Sequence, residues 1–131
     1  MISIIAGKYK GKKLYDVKNL HVRPTQAKVR KSVFQILEPF DGMEVLDLYA
    51  GVGTLGIEAM SRGASRAVFV EKNRRVFKVL KKNLDLFDSE KYNIFLSLKK
   101  PMIFMFFILT LVDINFHNNK FFYFKIYLKN Y

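Results

Sequence analysis

The stretch Val45-Leu46-Asp47-Leu48-Tyr49-Ala50-Gly51-Val52-Gly53-Thr54-Leu55-Gly56 constrains this chain more than any other segment. A short apolar run of buried-strand type enters a turn with glycines at 51, 53 and 56, and a helical pattern continues from about Thr54 to Arg62. Gly51 and Gly53 let backbone approach a ligand without a Cβ clash, and Gly56 lets the first helical turn pack close to a sheet. Gly63 stands where a glycine follows a helix end. The same pattern resumes downstream. Ala67 to Val70 reads as a second strand, and Asn73 can cap a helix with apolar positions Val76, Val79, Leu80, Leu84 and Phe87. Tyr92 to Leu98 reads as a third strand. Strand–helix–strand–helix–strand predicts an α/β fold with a parallel sheet and right-handed crossovers.

The region before this unit differs in kind. Ile2 to Tyr15 reads as a β-hairpin, with Gly7 to Gly11 as its turn and Lys12 to Val17 as the return. Pro24 ends an extended segment and Thr25 is a candidate N-cap. Val29, Val33, Phe34, Ile36 and Leu37 then follow helical spacing, with Lys28, Lys31 and Gln35 on another face, and Pro39 and Gly42 close that helix. Charge separates the regions further. Residues 1–31 hold nine Lys and Arg against one acid, a net charge of +8, whereas residues 32–98 balance nine cations with nine acids. A basic arm before a neutral body fits a phosphate-contacting surface better than a merely solvated strand pair. Lys8, Lys10, Lys12 and Lys13 alternate with Tyr9 and Tyr15, a mixture suited to RNA.

Several functions are excluded or disfavoured. The chain has no Cys, so disulfides, thiolate metal sites and Cys nucleophiles are ruled out. His21 and His117 lie far apart in sequence, and no metal site is expected. The N-terminal apolar run is too short for a signal-peptide core, and Met102 to Val112 is too short to span a membrane. A cytoplasmic location with no membrane partner is the expectation.

Asp47 discriminates between nucleotide ligands. A dinucleotide fold puts pyrophosphate on the helix N-terminus, where an acid four residues before the first glycine repels it. A cationic ligand without phosphate tolerates that acid. S-adenosylmethionine, with a sulfonium and an α-amino group, has both properties, and attraction to a nearby carboxylate in a partly dry cleft is worth a few kcal/mol as an order of magnitude. Glu71, at the end of the second strand, can accept ribose hydroxyls from either ligand and does not discriminate. The candidate cofactor residues are Asp47, Gly51, Gly53 and Glu71.

At this point a resemblance enters. Ile5-Ala6-Gly7-Lys8-Tyr9-Lys10-Gly11-Lys12-Lys13-Leu14, Val22-Arg23-Pro24-Thr25, Val29-Arg30, the Val45–Gly51 segment, Gly56-Ile57-Glu58-Ala59, Arg62-Gly63-Ala64 and Phe69-Val70-Glu71-Lys72-Asn73 resemble the bacterial 16S ribosomal RNA guanine-N2 methyltransferase family over about residues 1–98. The resemblance implies a Rossmann-like S-adenosylmethionine-dependent methyltransferase fold, truncated here, with an N-terminal β-hairpin arm. It implies a partner in ribosomal RNA or the small ribosomal subunit, bound as a monomer. Lys8, Lys10, Lys12, Lys13, Arg23, Thr25 and Arg30 would contact the RNA. The division expected is 1–31 for the basic arm, 32–98 for the donor-binding half and 99–131 for an atypical tail.

The chain departs from that family after Leu98. Members carry an acid or Asn, then Pro-Pro and an aromatic, which accept the hydrogens of the exocyclic amine and stack on the extruded base. Pro occurs here only at 24, 39 and 101, so no catalytic residue is assigned. Of the 33 residues from 99 to 131, 23 are Phe, Lys, Ile, Asn or Tyr, while the last Gly, Ala and Arg are Gly63, Ala67 and Arg75. That composition is what A- and T-rich codons produce, and a reading-frame shift near Leu98 is expected in preference to a natural Phe-rich end. Residues 102–112 are a candidate substitute fourth strand, with an uncovered sheet edge and apolar face beyond it. A non-catalytic RNA-binding remnant and a DNA amino-methyltransferase relative remain as alternatives.

Overall fold

A computed structural model describes residues 2–17, 25–97 and 121–124. Its elements run β1 (Ile2–Ser3), β2 (Lys13–Leu14), α1 (Ala27–Leu37), β3 (Glu44–Asp47), α2 (Thr54–Ser61), β4 (Arg66–Glu71), α3 (Arg74–Leu84), a 3-10 turn (Ser89–Lys91), β5 (Tyr92–Leu96) and β6 (Phe121–Phe124). β1 and β2 form the antiparallel hairpin, with Ile2 opposite Leu14. The main sheet has the order β5-β4-β3-β6, parallel throughout. This is the 3-2-1-4 half of a doubly wound fold, and its order reverses between β3 and β6. Ligands of such sheets bind at the carboxyl ends of the strands beside that reversal, where β3 ends in Asp47.

The candidate fourth strand, 102–112, lies outside the described residues. The strand that is described beside β3 is Phe121–Phe124, with Glu44 opposite Phe121 and Asp47 opposite Phe124. The expected fourth strand therefore exists beside β3, but among the described residues it is supplied by 121–124.

The core lies between the sheet and its helices. Phe34, Phe40, Val45, Ile57, Phe69, Leu80 and Leu84 belong to one buried cluster, and Ile4 and Leu14 join it from the hairpin. All eight residues of α2 are buried, so it is apolar all round except where its polar groups meet other elements. On α3 the side chain of Asn73 accepts from the amides of Arg75 and Val76, as the capping pattern predicts. Gly63, just past the last turn of α2, adopts φ 110°, the left-handed conformation expected there.

Helix α1 differs from its predicted form. Its N-cap is Gln26 and no side chain caps it, so Thr25 does not serve that role. The buried residues are Arg30 and Phe34, while Val29 and Ile36 are exposed. The stripe facing the core is set by which residues meet Phe40 and the hairpin, and hydrophobicity alone misplaces it. No helix among the described residues is long and apolar enough to cross a membrane.

Candidate functional site

The loop between β3 and α2 is held by two carboxylates and one amide. Asp47 is buried at the end of β3, and its Oδ2 accepts the amide N–H of Gly56 at 3.3 Å. Gly56 lies in the first turn of α2, where amides lack intrahelical partners, so Asp47 caps the helix from the neighbouring strand. Burial pushes the Asp47 carboxyl up to about 7, against the amides of Gly56 and Tyr49, with the charge of Glu71 adding to the rise. Asp47 is thus a titrating group near neutral pH, where the sequence reading treated it as a fixed anion.

Glu71 ends β4 and its carboxylate is already engaged. Oε2 accepts from Gly51 N at 2.9 Å, and Oε1 accepts from Lys72 N at 2.8 Å and Asn73 N at 2.7 Å. A carboxylate has about four acceptor sites, so one remains on Oε2. Holding both ribose hydroxyls would require a shared acceptor or the release of one backbone amide.

The glycines divide by role. A Cβ on Gly51, at φ +56°, would meet nothing within 4 Å, so this face of the loop is open to a ligand. A Cβ on Gly53 would lie 2.7 Å from Leu80 Cδ1 and 2.9 Å from Ile57 Cδ1. Gly53 therefore answers a demand of the core in addition to its φ of +93°, and the expected ligand clearance belongs to Gly51 alone. A Cβ on Gly56 would stand 2.3 Å from the Phe69 ring, so the helix does pack on β4 as expected. The open face at Gly51, the remaining acceptor of Glu71 and the anion available at Asp47 fit a cationic nucleoside without phosphate.

Sequence reasoning missed Asn83 as a functional residue. It is fully buried on α3; its Nδ2 donates to Val52 O at 2.8 Å and to Tyr15 O at 3.0 Å, and its Oδ1 accepts from Tyr15 N at 2.7 Å. One side chain thus ties the glycine loop to the end of the hairpin. A polar residue within the stripe Val76, Leu80, Leu84 was the available signal. Glu58 was quoted only as part of a motif. It is buried on α2 and accepts from Ile5 N at 2.8 Å, Ala6 N at 3.0 Å and Arg62 Nε at 2.9 Å. Arg62 also bonds Glu38.

The proposed RNA contacts differ in where the structure places them. Lys8, Lys10 and Lys13 are exposed on the hairpin. Lys12 is half-buried; its Nζ donates to Leu86 O at 2.6 Å and lies 4.5 Å from the Phe87 ring centre, so it fastens the hairpin to the body. Arg30 is corrected. It is 3% exposed, donates from Nη2 to Ser3 O at 2.9 Å, and faces Glu58. Burial lowers its pKa from the usual guanidinium value, and its cation serves the interior rather than an RNA surface. Thr25 is half-buried, and Arg23 lies outside the described residues.

The family profile described as Conserved hypothetical protein 95 matches residues 2–101. The match ends close to Leu98, where the composition changes. The chain is 41% identical over 90 residues to YlbH, provisionally named an rRNA methyltransferase, of Bacillus subtilis, covering 68% of this chain and 49% of that protein. It is 42% identical over 84 residues to ribosomal RNA small subunit methyltransferase D of Haemophilus influenzae, covering 63% and 44% respectively. The chain thus spans about half the length of the curated relatives it matches. Among solved structures, a provisionally named methyltransferase of Escherichia coli superposes with TM-score 0.69 at 35% identity, over 79% of this chain and 55% of that one.

Proposed function

The chain belongs to the family described as Conserved hypothetical protein 95, and on that premise we propose that it is the donor-binding half of an S-adenosylmethionine-dependent methyltransferase directed at a guanine exocyclic amine of 16S ribosomal RNA. The observation that carries the reading is the loop at the strand-order reversal. There the open face of Gly51 lies between a strand ending in Asp47 and one ending in Glu71. The donor supplies an electrophilic methyl group on a sulfonium. Asp47, when ionised, supplies negative charge beside that site, and the remaining acceptor on Glu71 takes one ribose hydroxyl. Names of the relatives support methyl transfer to ribosomal RNA; guanine N2 as the target is the finer part of the proposal. The reading is of a cytoplasmic monomer whose partner is ribosomal RNA or the small subunit.

A second reading is favoured by one specific fact. No Pro-Pro pair occurs in the 131 residues, so the group that would orient an exocyclic amine is not among them. On that reading the chain is a non-catalytic RNA-binding remnant. Transfer of labelled methyl groups to undermethylated small subunits separates the two. Calorimetry against S-adenosylmethionine and NAD tests the cofactor independently, and binding of NAD alone would overturn the site assignment.

A further inference from the structure

Helix α3 carries a charge pattern that its own folding explains only in part, since the dipole favours Lys81 and Lys82 in the last turn but none of the other cations. Lys72, Arg74, Arg75, Lys78, Lys81 and Lys82 are all exposed, and no acid intervenes from Lys72 to Leu84. Arg74 with Lys78, and Lys78 with Lys82, are like charges one turn apart, and Arg75 and Lys81 flank Lys78 at three residues. Arg74 and Arg75 also occupy the first turn, where the helix dipole disfavours cations. Among the described residues none of these six forms a salt bridge, whereas Arg62 pairs with Glu38 and Glu58.

The hairpin packs on the C-terminal end of this helix and the segment just after it. Tyr9 meets Phe87 edge-on at 4.9 Å, Lys12 bonds Leu86 O, and Tyr15 is clasped by Asn83 on both its amide and its carbonyl. Lys82 Nζ lies 3.7 Å above the Tyr15 ring centre, and that ring is 46% exposed. The exposed Lys8, Lys10 and Lys13 are thereby brought onto the surface that the cations of α3 continue. At its other end α3 starts beside Glu71, at the rim of the cofactor loop. One basic track therefore runs from the hairpin, past an exposed tyrosine, to the loop.

We infer that α3 is the second half of an RNA-binding surface, with its six cations contacting phosphates between the hairpin and the cofactor site. A polyanion is the occupant that relieves the like-charge repulsion along the helix, and an exposed ring beside the lysines suits an unstacked base. The inference rests on the RNA reading given under Proposed function and extends it to an element that reading does not use.

The test uses the full chain and a short labelled RNA stem–loop, titrated at several salt concentrations. Lys78→Gln/Lys81→Gln is compared with Lys10→Gln/Lys13→Gln and the unmodified chain, with circular dichroism and thermal melting as fold controls. Each pair is expected to weaken binding and to reduce the slope of log K against log salt by about two. Screening over about 10 Å at 0.1 M salt makes a change of that size a local contact and not an effect of net charge. If the α3 pair keeps the original affinity and slope while the hairpin pair loses both, the inference is overturned and the RNA reading stands. If the unmodified chain does not bind the stem–loop, the RNA reading falls and the inference with it.

Discussion

Asp47 concentrates two opposed requirements in one carboxyl group. Its proton is favoured by burial, and its charge is what a cationic ligand would use. The native state holds the Asp47 proton up to about 7, whereas the unfolded chain releases it near 3.8, so the folded state binds more protons between those values and stability falls as pH rises through them. The penalty is complete above pH 7 and amounts to about 4 kcal/mol as an order of magnitude. Asp47→Asn removes it while keeping an oxygen for Gly56 N–H. The variant is expected to melt higher than the parent at pH 8 and to differ little near pH 4, as followed by thermal denaturation. The ligand side has the opposite sign. A cation binds the ionised form better, so affinity for S-adenosylmethionine should rise from pH 6 to pH 8 in the parent and stay flat in Asp47→Asn, read by calorimetry. The signal for this residue was legible in sequence, since an acid stands at a strand end before glycines. Its titration was not, because burial is contributed by residues distant in the chain.

At the scale of elements, the hairpin is fixed to α2 by polar groups as well as by apolar packing. Lys8 N donates to Ser61 O at 2.7 Å, Tyr9 N to Ser61 Oγ at 2.9 Å, and Ser61 Oγ donates to Ala6 O at 2.5 Å. Gly7 lies against this contact, and a Cβ there would fall 1.8 Å from Ser61 O at a φ of +81°. Gly7→Ala is therefore expected to release the hairpin, with faster hydrogen exchange at the Lys8 and Tyr9 amides and unchanged exchange in β4. Asn83 makes the corresponding tie on α3. Asn83→Ala leaves the buried Val52 O and the part-buried Tyr15 N without their partner, a loss of about 2–4 kcal/mol measured by chemical denaturation. The hairpin and both helices were evident from glycines and periodicity. The stripe of α1 was not: Val29 and Ile36 fit the apolar pattern yet stay exposed, while Arg30 is buried, bonded to Ser3 O and attracted by the charge of Glu58.

For the whole molecule, the place of β6 matters most. β3 is the strand that carries the cofactor loop, and with β4 on one side and β6 on the other it is paired at both edges. Ending the chain at Leu98 removes β6 and exposes the β3 backbone as a template for association. The shortened chain is expected to melt at a lower temperature and to scatter more light at equal concentration. Residues 121–124 thus take part in the sheet, even though the family match stops at residue 101 and the composition changes at Leu98.

The sequence alone determined the order of strands and helices as far as β5, the loop at 51–56, the acids at 47 and 71 and the basic character of the arm. These are local: periodicity, glycine positions and charge spacing act over a few residues. The tertiary structure decided which glycine faces a ligand, how many acceptors Glu71 has left, and that Asn83 joins the loop to the hairpin. It also turned Arg30 inward and brought residues 121–124 beside β3. Each of these includes a contact between atoms 20 or more residues apart in the chain, as with the bond from Gly51 to Glu71. Space and hydrogen-bond partners at such separations are set by packing.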